Sequence, residues 1–212
     1  MSITQLEVCN NALDLVGQGT HISSLTEASK EADLCNRLLS QVLLRSYDKY
    51  DWSFCKKDEI LTQDYLVDYV SRPFNYTYSL PTDVLRVLWI APIDSDGKTD
   101  RRFNAEKHLP FEFRNVNDTK CLVTDVGAPI LLRYQSNNPD FDLLPPTFVE
   151  GIEFLLAGRI AMSLVKGQNG VQMGQGLMQL GYQSLTSAHD LDTPIDPEPL
   201  PSPVSSFVAS RG

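Results

Sequence analysis

Residues 1–55 constrain the fold more than any other stretch, because two capped amphipathic helices joined by Gly17-Gln18-Gly19 run straight into Asp51-Trp52-Ser53-Phe54. Ser2 and Gln5 stand at capping-box spacing, and Ile3, Leu6, Cys9, Leu13 and Val16 recur at three- and four-residue steps until Gly17 offers a left-handed stop. Ser24 and Glu27 repeat the capping-box spacing. Ala28, Ala32, Cys35, Leu38, Leu39, Val42 and Leu43 then hold the same period toward Tyr50, about six turns at ~3.6 residues each. A short helix with a longer one packed on it is the expected result.

The period then changes. From about Tyr65 to Tyr134, short runs of Tyr, Val, Phe, Thr and Ile are bounded by Pro, Gly, Asn and Asp, which is strand-and-turn chemistry. The pattern predicts strands at residues 76–79, 84–90, 121–124 and 130–134, with Pro81 and Pro92 as punctuation and Asp96-Gly97 as a hairpin-type turn. Helical spacing resumes at Pro145-Pro146, where proline fits a first turn. Phe148, Ile152, Leu155, Leu156, Ile160 and Leu164 form one apolar face as far as Lys166-Gly167. Met173, Leu177, Leu180 and Ala188 mark a fourth helix beyond a break at Gln168-Asn169. The chain therefore reads as α+β. Residues 1–64 and 141–190 are two helical halves closing into one four-helix bundle, residues 65–140 are an inserted antiparallel β-module, and residues 191–212 are a proline-rich extended tail.

Five glycines in the C-terminal helical half need a reason, since glycine inside a helix costs roughly 0.5–1 kcal/mol against alanine. Gly151 and Gly158 stand two turns apart, while Gly170, Gly174 and Gly181 step by four and seven along the next helix. The expectation is a close helix approach through these faces, within one subunit or between two; the alternative is a loose linker at residues 167–176. In the tail, Pro194, Pro197, Pro199, Pro201 and Pro203 exclude helix and ladder alike. Leu200, Val204, Phe207, Val208 and Arg211 then form either an anchor that orders on binding or an end with incidental apolar residues.

Charge and cysteine usage narrow the function classes. With 27 acidic and 18 basic residues the net charge is −9, which disfavours tight binding to a nucleic-acid backbone and permits a passage through which DNA slides. No apolar run approaches the ~20 residues of a membrane span, and the N-terminus carries no secretory pattern, so assembly in a cytoplasm is expected. Cys9, Cys35, Cys55 and Cys121 lack a CxxC spacing and read as small buried hydrophobes; His21, His108 and His189 read as surface or turn residues, not metal ligands. Asp94, Asp96 and Asp100 alternate like calcium ligands, yet Gly97 is fourth in that loop and no glutamate closes it. The loop is then a solvated turn, with Arg101 and Arg102 either on a partner or contacting nothing.

Three separated blocks carry a family resemblance. Cys9-Asn10-Asn11-Ala12-Leu13, Gly17, Ile22-Ser23-Ser24-Leu25, Glu27, Ala32, Cys35, Leu44-Arg45, Trp52 and Phe54 form the first. Tyr76-Thr77-Tyr78-Ser79-Leu80-Pro81-Thr82-Asp83-Val84-Leu85-Arg86-Val87 is the second, and Pro145-Pro146-Thr147-Phe148-Val149-Glu150 the third. Together, in this order, they resemble the podovirus tail tubular protein A family, the head-to-tail adaptors of short-tailed bacteriophages. The resemblance implies a structural virion protein of the tail neck that forms a dodecameric ring on the portal protein, extends the DNA channel without binding DNA specifically, and presents its β-modules to the tail nozzle protein. It implies neither catalytic residues nor cofactor nor metal, and no membrane. By the same resemblance the tail residues Leu200, Val204, Phe207, Val208 and Arg211 fasten to the portal, and the loop residues Asp94, Asp96, Lys98, Arg101 and Arg102 meet the nozzle.

Two rivals come from other classes. A glycan hydrolase acting on cell wall or capsule needs two carboxyls ~5–9.5 Å apart. With 27 acidic residues such a pair arises by chance, so the sequence lends it no weight. A helical scaffolding protein outside the virion is the other.

Overall fold

The computed structural model describes residues 3–17, 19, 21–62, 74–93, 109–116 and 118–192. It is α+β: among those residues, four helices and two small antiparallel sheets. The helices are α1 (Gln5–Leu15), α2 (Lys30–Lys49), α3 (Pro146–Leu164) and α4 (Gln168–Asp192).

Local chemistry sets their ends, though not always at the residues expected. The capping box of α1 belongs to Thr4 and Glu7: Thr4 Oγ1 accepts from Glu7 N–H at 3.2 Å, and the Glu7 carboxylate accepts from Thr4 N–H at 2.6 Å. Helix α2 starts at Ser29, whose hydroxyl accepts from Ala32 N–H, and not at Ser24. The reason lies in Glu27. Its carboxylate accepts from the hydroxyls of Ser29 and Ser23 and from Ser23 N–H, which folds residues 23–29 into a turn. Those bonds, Ser29 first, hold its pKa down to about 2. Asn10 clips the connection to α1, donating to the Ile22 carbonyl and accepting from Ile22 N–H. Pro146 opens α3 at a position where its missing N–H costs nothing. Helix α4 begins directly at Gln168, after Gly167 at φ +77°, so residues 168–176 are helix and neither break nor linker.

Helix α3 is the hub. Apolar residues of α1, α2 and α4 share one core around it, including Val8, Leu13, Val42, Tyr47, Phe148, Ile152, Leu156 and Leu185. The four cysteines are buried, and none is in a disulfide. The neighbouring Cys35 thiol of α2, and then burial, hold the Cys9 thiol of α1 above the usual thiol range. Burial pushes the Cys55 thiol up to about 12.

The strands are β1 (Lys56–Leu61), β2 (Tyr76–Ser79), β3 (Val84–Pro92), β4 (Phe111–Val116), β5 (Thr119–Thr124) and β6 (Ile130–Ser136). They pair in the orders β1-β6-β3 and β2-β5-β4, with Lys56 opposite Gln135 and Tyr78 opposite Leu122. The inner faces of both sheets meet in a second core of Tyr78, Ile90, Leu122, Ile130 and Leu132. Strands β1 and β4 lie outside the four expected. In β1 only Leu61 is buried, so Lys56 to Glu59 give no apolar period. It also falls inside residues 1–64, the stretch expected to be helical, and pairs along its whole length with β6.

Candidate functional site

The C-terminus of α2 is where the helical layer and the sheets join. A helix leaves its last four carbonyls without intrahelical donors. Here three of them are met by side chains from three different places. Trp52 Nε1 donates to the Ser46 carbonyl at 2.8 Å, Gln135 Nε2 of β6 to the Tyr47 carbonyl at 2.5 Å, and Arg86 of β3 to the Asp48 carbonyl at 3.1 Å. Gln135 Nε2 also reaches the Tyr50 carbonyl at 2.8 Å. Gln135 and Trp52 are fully buried, whereas Arg86 caps from the exposed side.

Aromatic rings fill the space between. Trp52 is fully buried, its ring 5.0 Å from Phe148 of α3 in an edge contact and 5.3 Å from Phe54 in a stack. Tyr47 stacks on the other side of the cluster, 5.7 Å from Phe148. The last turns of α4 close it: His189 stacks on Tyr50, Thr186 bonds the Tyr50 hydroxyl, and the Asp192 carboxylate accepts from Ser53 N–H at 2.6 Å and from the Ser53 hydroxyl.

Below this joint, Asp83 ties the first sheet together. Its carboxylate accepts from Lys57 Nζ of β1 at 2.7 Å and from Ser136 and Tyr134 of β6 at 2.7 and 3.1 Å. Burial works against its charge, but the hydrogen bonds outweigh it and hold the carboxyl below the usual range. Burial and then the Asp83 bond push the Tyr134 hydroxyl upward. Arg133 forks onto Asp58 with two bonds of 2.6 Å, which lowers Asp58 in turn. Both carboxylates of this network, Asp83 and Asp58, are already engaged by side chains of β1 or β6. Among the described residues no group of three His, Cys, Asp or Glu is placed to hold a metal ion.

The five glycines come together between α3 and α4 of one chain. A Cβ on Gly158 would lie 2.8 Å from the Gly174 carbonyl oxygen, and one on Gly174 would lie 2.6 Å from that of Gly158. Gly151 and Gly181 repeat the arrangement, at 3.3 and 3.0 Å from each other's carbonyl oxygens. On Gly170 a Cβ would run into the Val165 carbonyl oxygen at the turn. By contrast, the loop residues Asp94, Asp96, Lys98, Arg101 and Arg102 and the tail residues Leu200, Val204, Phe207, Val208 and Arg211 lie outside the described residues.

Sequence reasoning places Trp52 and Phe54 directly after the second helix but does not find Gln135, Arg86 or Asp192, whose roles depend on which backbone groups the fold brings near them. The class that results is an α+β protein whose densest polar organisation locks modules together. In comparison with known proteins, the chain matches no family model and no curated protein.

Proposed function

We propose that this chain is a structural virion protein of the tail tubular protein A kind, a head-to-tail adaptor whose copies form a ring of twelve between portal and tail nozzle and extend the DNA channel. The single observation that carries the reading is where the three resemblance blocks meet. Trp52 from the first, Arg86 from the second and Phe148 from the third converge on the last turn of α2. Here the converging groups are a buried indole, a guanidinium on a backbone carbonyl and a buried phenyl ring, which pack and cap, and this supports a structural role.

In this reading the two helical halves make a four-helix bundle that forms the ring. The extended tail, with Leu200, Val204, Phe207, Val208 and Arg211, fastens to the portal, and the loop with Asp94, Asp96, Lys98, Arg101 and Arg102 faces the nozzle protein. A net charge of −9 is compatible with passage of double-stranded DNA without specific binding. The protein assembles in the host cytoplasm, resides in the virion neck, and works without catalysis, cofactor or membrane. No described helix is long and apolar enough to cross a membrane.

The test is electron microscopy of the chain with and without the portal protein of the same particle. Rings seated on the portal are expected in the mixture. A mixture in which the two proteins neither co-migrate nor form rings overturns the proposal.

A further inference from the structure

Charge is distributed unevenly around α3. Residues 167–189 contain no Asp, Glu, Lys or Arg, in a chain of which 21% is charged. They include most of α4, and its exposed Gln172, Gln175, Gln179 and Gln183 follow helical spacing on the side opposite the buried Gly174, Gly181 and Leu185. Leu180 and Tyr182 stand 46% and 43% exposed on the same helix. Met178, Gln179, Tyr182 and Gln183 line a shallow depression there.

The other flank is the reverse. Gly151 and Gly158 of α3 face α4, whereas Glu153 accepts from Asn11 of α1 at 2.7 Å. Positions 151 and 153 differ by ~200° around a helix, so α1 and α4 cover opposite sides of α3. The α1 flank has no Lys or Arg in residues 3–29 or 134–158, and carries the exposed Glu7, Asp14, Asp142 and Glu150. Apolar surface lies among these acids: Leu143 is 62% exposed, and Ile3, Phe141 and Val149 line a depression with Glu150 and Glu153.

We infer that the outward face of α4 is the surface on which a second copy of this chain docks, through the acidic flank formed by α1, residues 141–143 and the start of α3. Copies that each carry −9 meet at least cost where one surface has no charge. Two acidic flanks would repel. An acidic flank on the charge-free helix sets carboxylates against glutamine amides that donate to them, and Leu143 against Leu180 and Tyr182. The contact is head-to-tail, because the two faces lie on opposite sides of α3; such a contact gives a ring where the rotation between copies closes and a filament where it does not, and closure rests here on the adaptor reading.

The experiment uses the full chain in three forms: wild type, Gln175→Glu/Gln179→Glu/Gln183→Glu, and Gln41→Glu on the exposed face of α2 as a control. Sedimentation velocity, with and without portal, should show self-association weakened at least about tenfold in the triple variant and unchanged in the control. A Gln179→Cys chain mixed with a Leu143→Cys chain should give a bismaleimide-linked heterodimer, the native cysteines being buried. Triple-variant association equal to wild type, a wild type that never self-associates, or links only between Gln179→Cys chains each overturn the inference. Rings on the portal with the triple variant unimpaired would sink it and leave the adaptor reading standing. Self-association through this face without any portal binding would do the opposite.

Discussion

At Gly158 the two long helices touch backbone to backbone, and the space available is smaller than a methyl group. Gly158→Ala would press a Cβ to 2.6 Å from Met178 Cγ and 2.8 Å from the Gly174 oxygen. The helix-propensity gain of up to ~1 kcal/mol is outweighed by overpacking of about 1–3 kcal/mol. Gly176, on the same helix, meets nothing within 4 Å of its would-be Cβ. Gly176→Ala should therefore stabilise by about 0.5–1 kcal/mol. Urea melts of the two variants should move in opposite directions; equal shifts would show that the close approach is not tight.

Between elements, the strongest link is the side-chain capping of α2. Gln135→Leu strips donors from the Tyr47 and Tyr50 carbonyls, at about 1–3 kcal/mol for each group left unpaired in the interior. The buried Gln135 Oε1 finds no donor among the described residues, so its removal gives some of that back. A melt that loses less than ~1 kcal/mol would mean that the Gln135 caps contribute little and that the joint is held by its aromatic rings and its other hydrogen bonds. The Asp83 tie gives a pH signature. Its folded pKa is depressed, so its stabilisation is full above the unfolded value near ~3.9 and disappears as pH falls through the lower, folded one. Asp83→Asn should lower stability at pH 7 and flatten the acid limb of the stability profile below about pH 4. An unchanged acid limb would assign the limb to other depressed carboxylates, Glu27 and Asp58 among them.

For the whole molecule, the end of α4 decides where a tail can be cut. Asp192 holds Ser53 at the joint, so a chain ending at Asp192 should melt like the full chain, whereas one ending at Asp190 should lose about 1–3 kcal/mol with the two bonds to Ser53. If the tail is the attachment device, both truncations should fail to cosediment with portal. Full binding by the chain ending at Asp192 would move attachment to the folded body. Phe207→Ala in the full chain should reproduce part of the defect, since one aromatic often dominates such contacts.

The sequence by itself determined the helices, because an apolar stripe at 3.6-residue spacing is a property of the chain that favours burial, although Leu180, one of the residues marking the fourth helix, stands 46% exposed. Leu13, Val42, Phe148 and Leu156 all lie in the shared core their spacing predicts. It also offered a close helix approach through the glycines, one of two alternatives, and α3 and α4 make that approach. Tertiary structure decided the rest. Which serine caps α2 depended on Glu27 being occupied by Ser23 and Ser29. Strand β1 exists because β6 offers it a backbone ladder, and its charged side chains leave no trace of that in their order. Gln135 and Arg86 became caps only when folding placed them beside carbonyls distant in the chain. A hydrogen bond across that separation is fixed by the packing of whole elements, and no local periodicity encodes it.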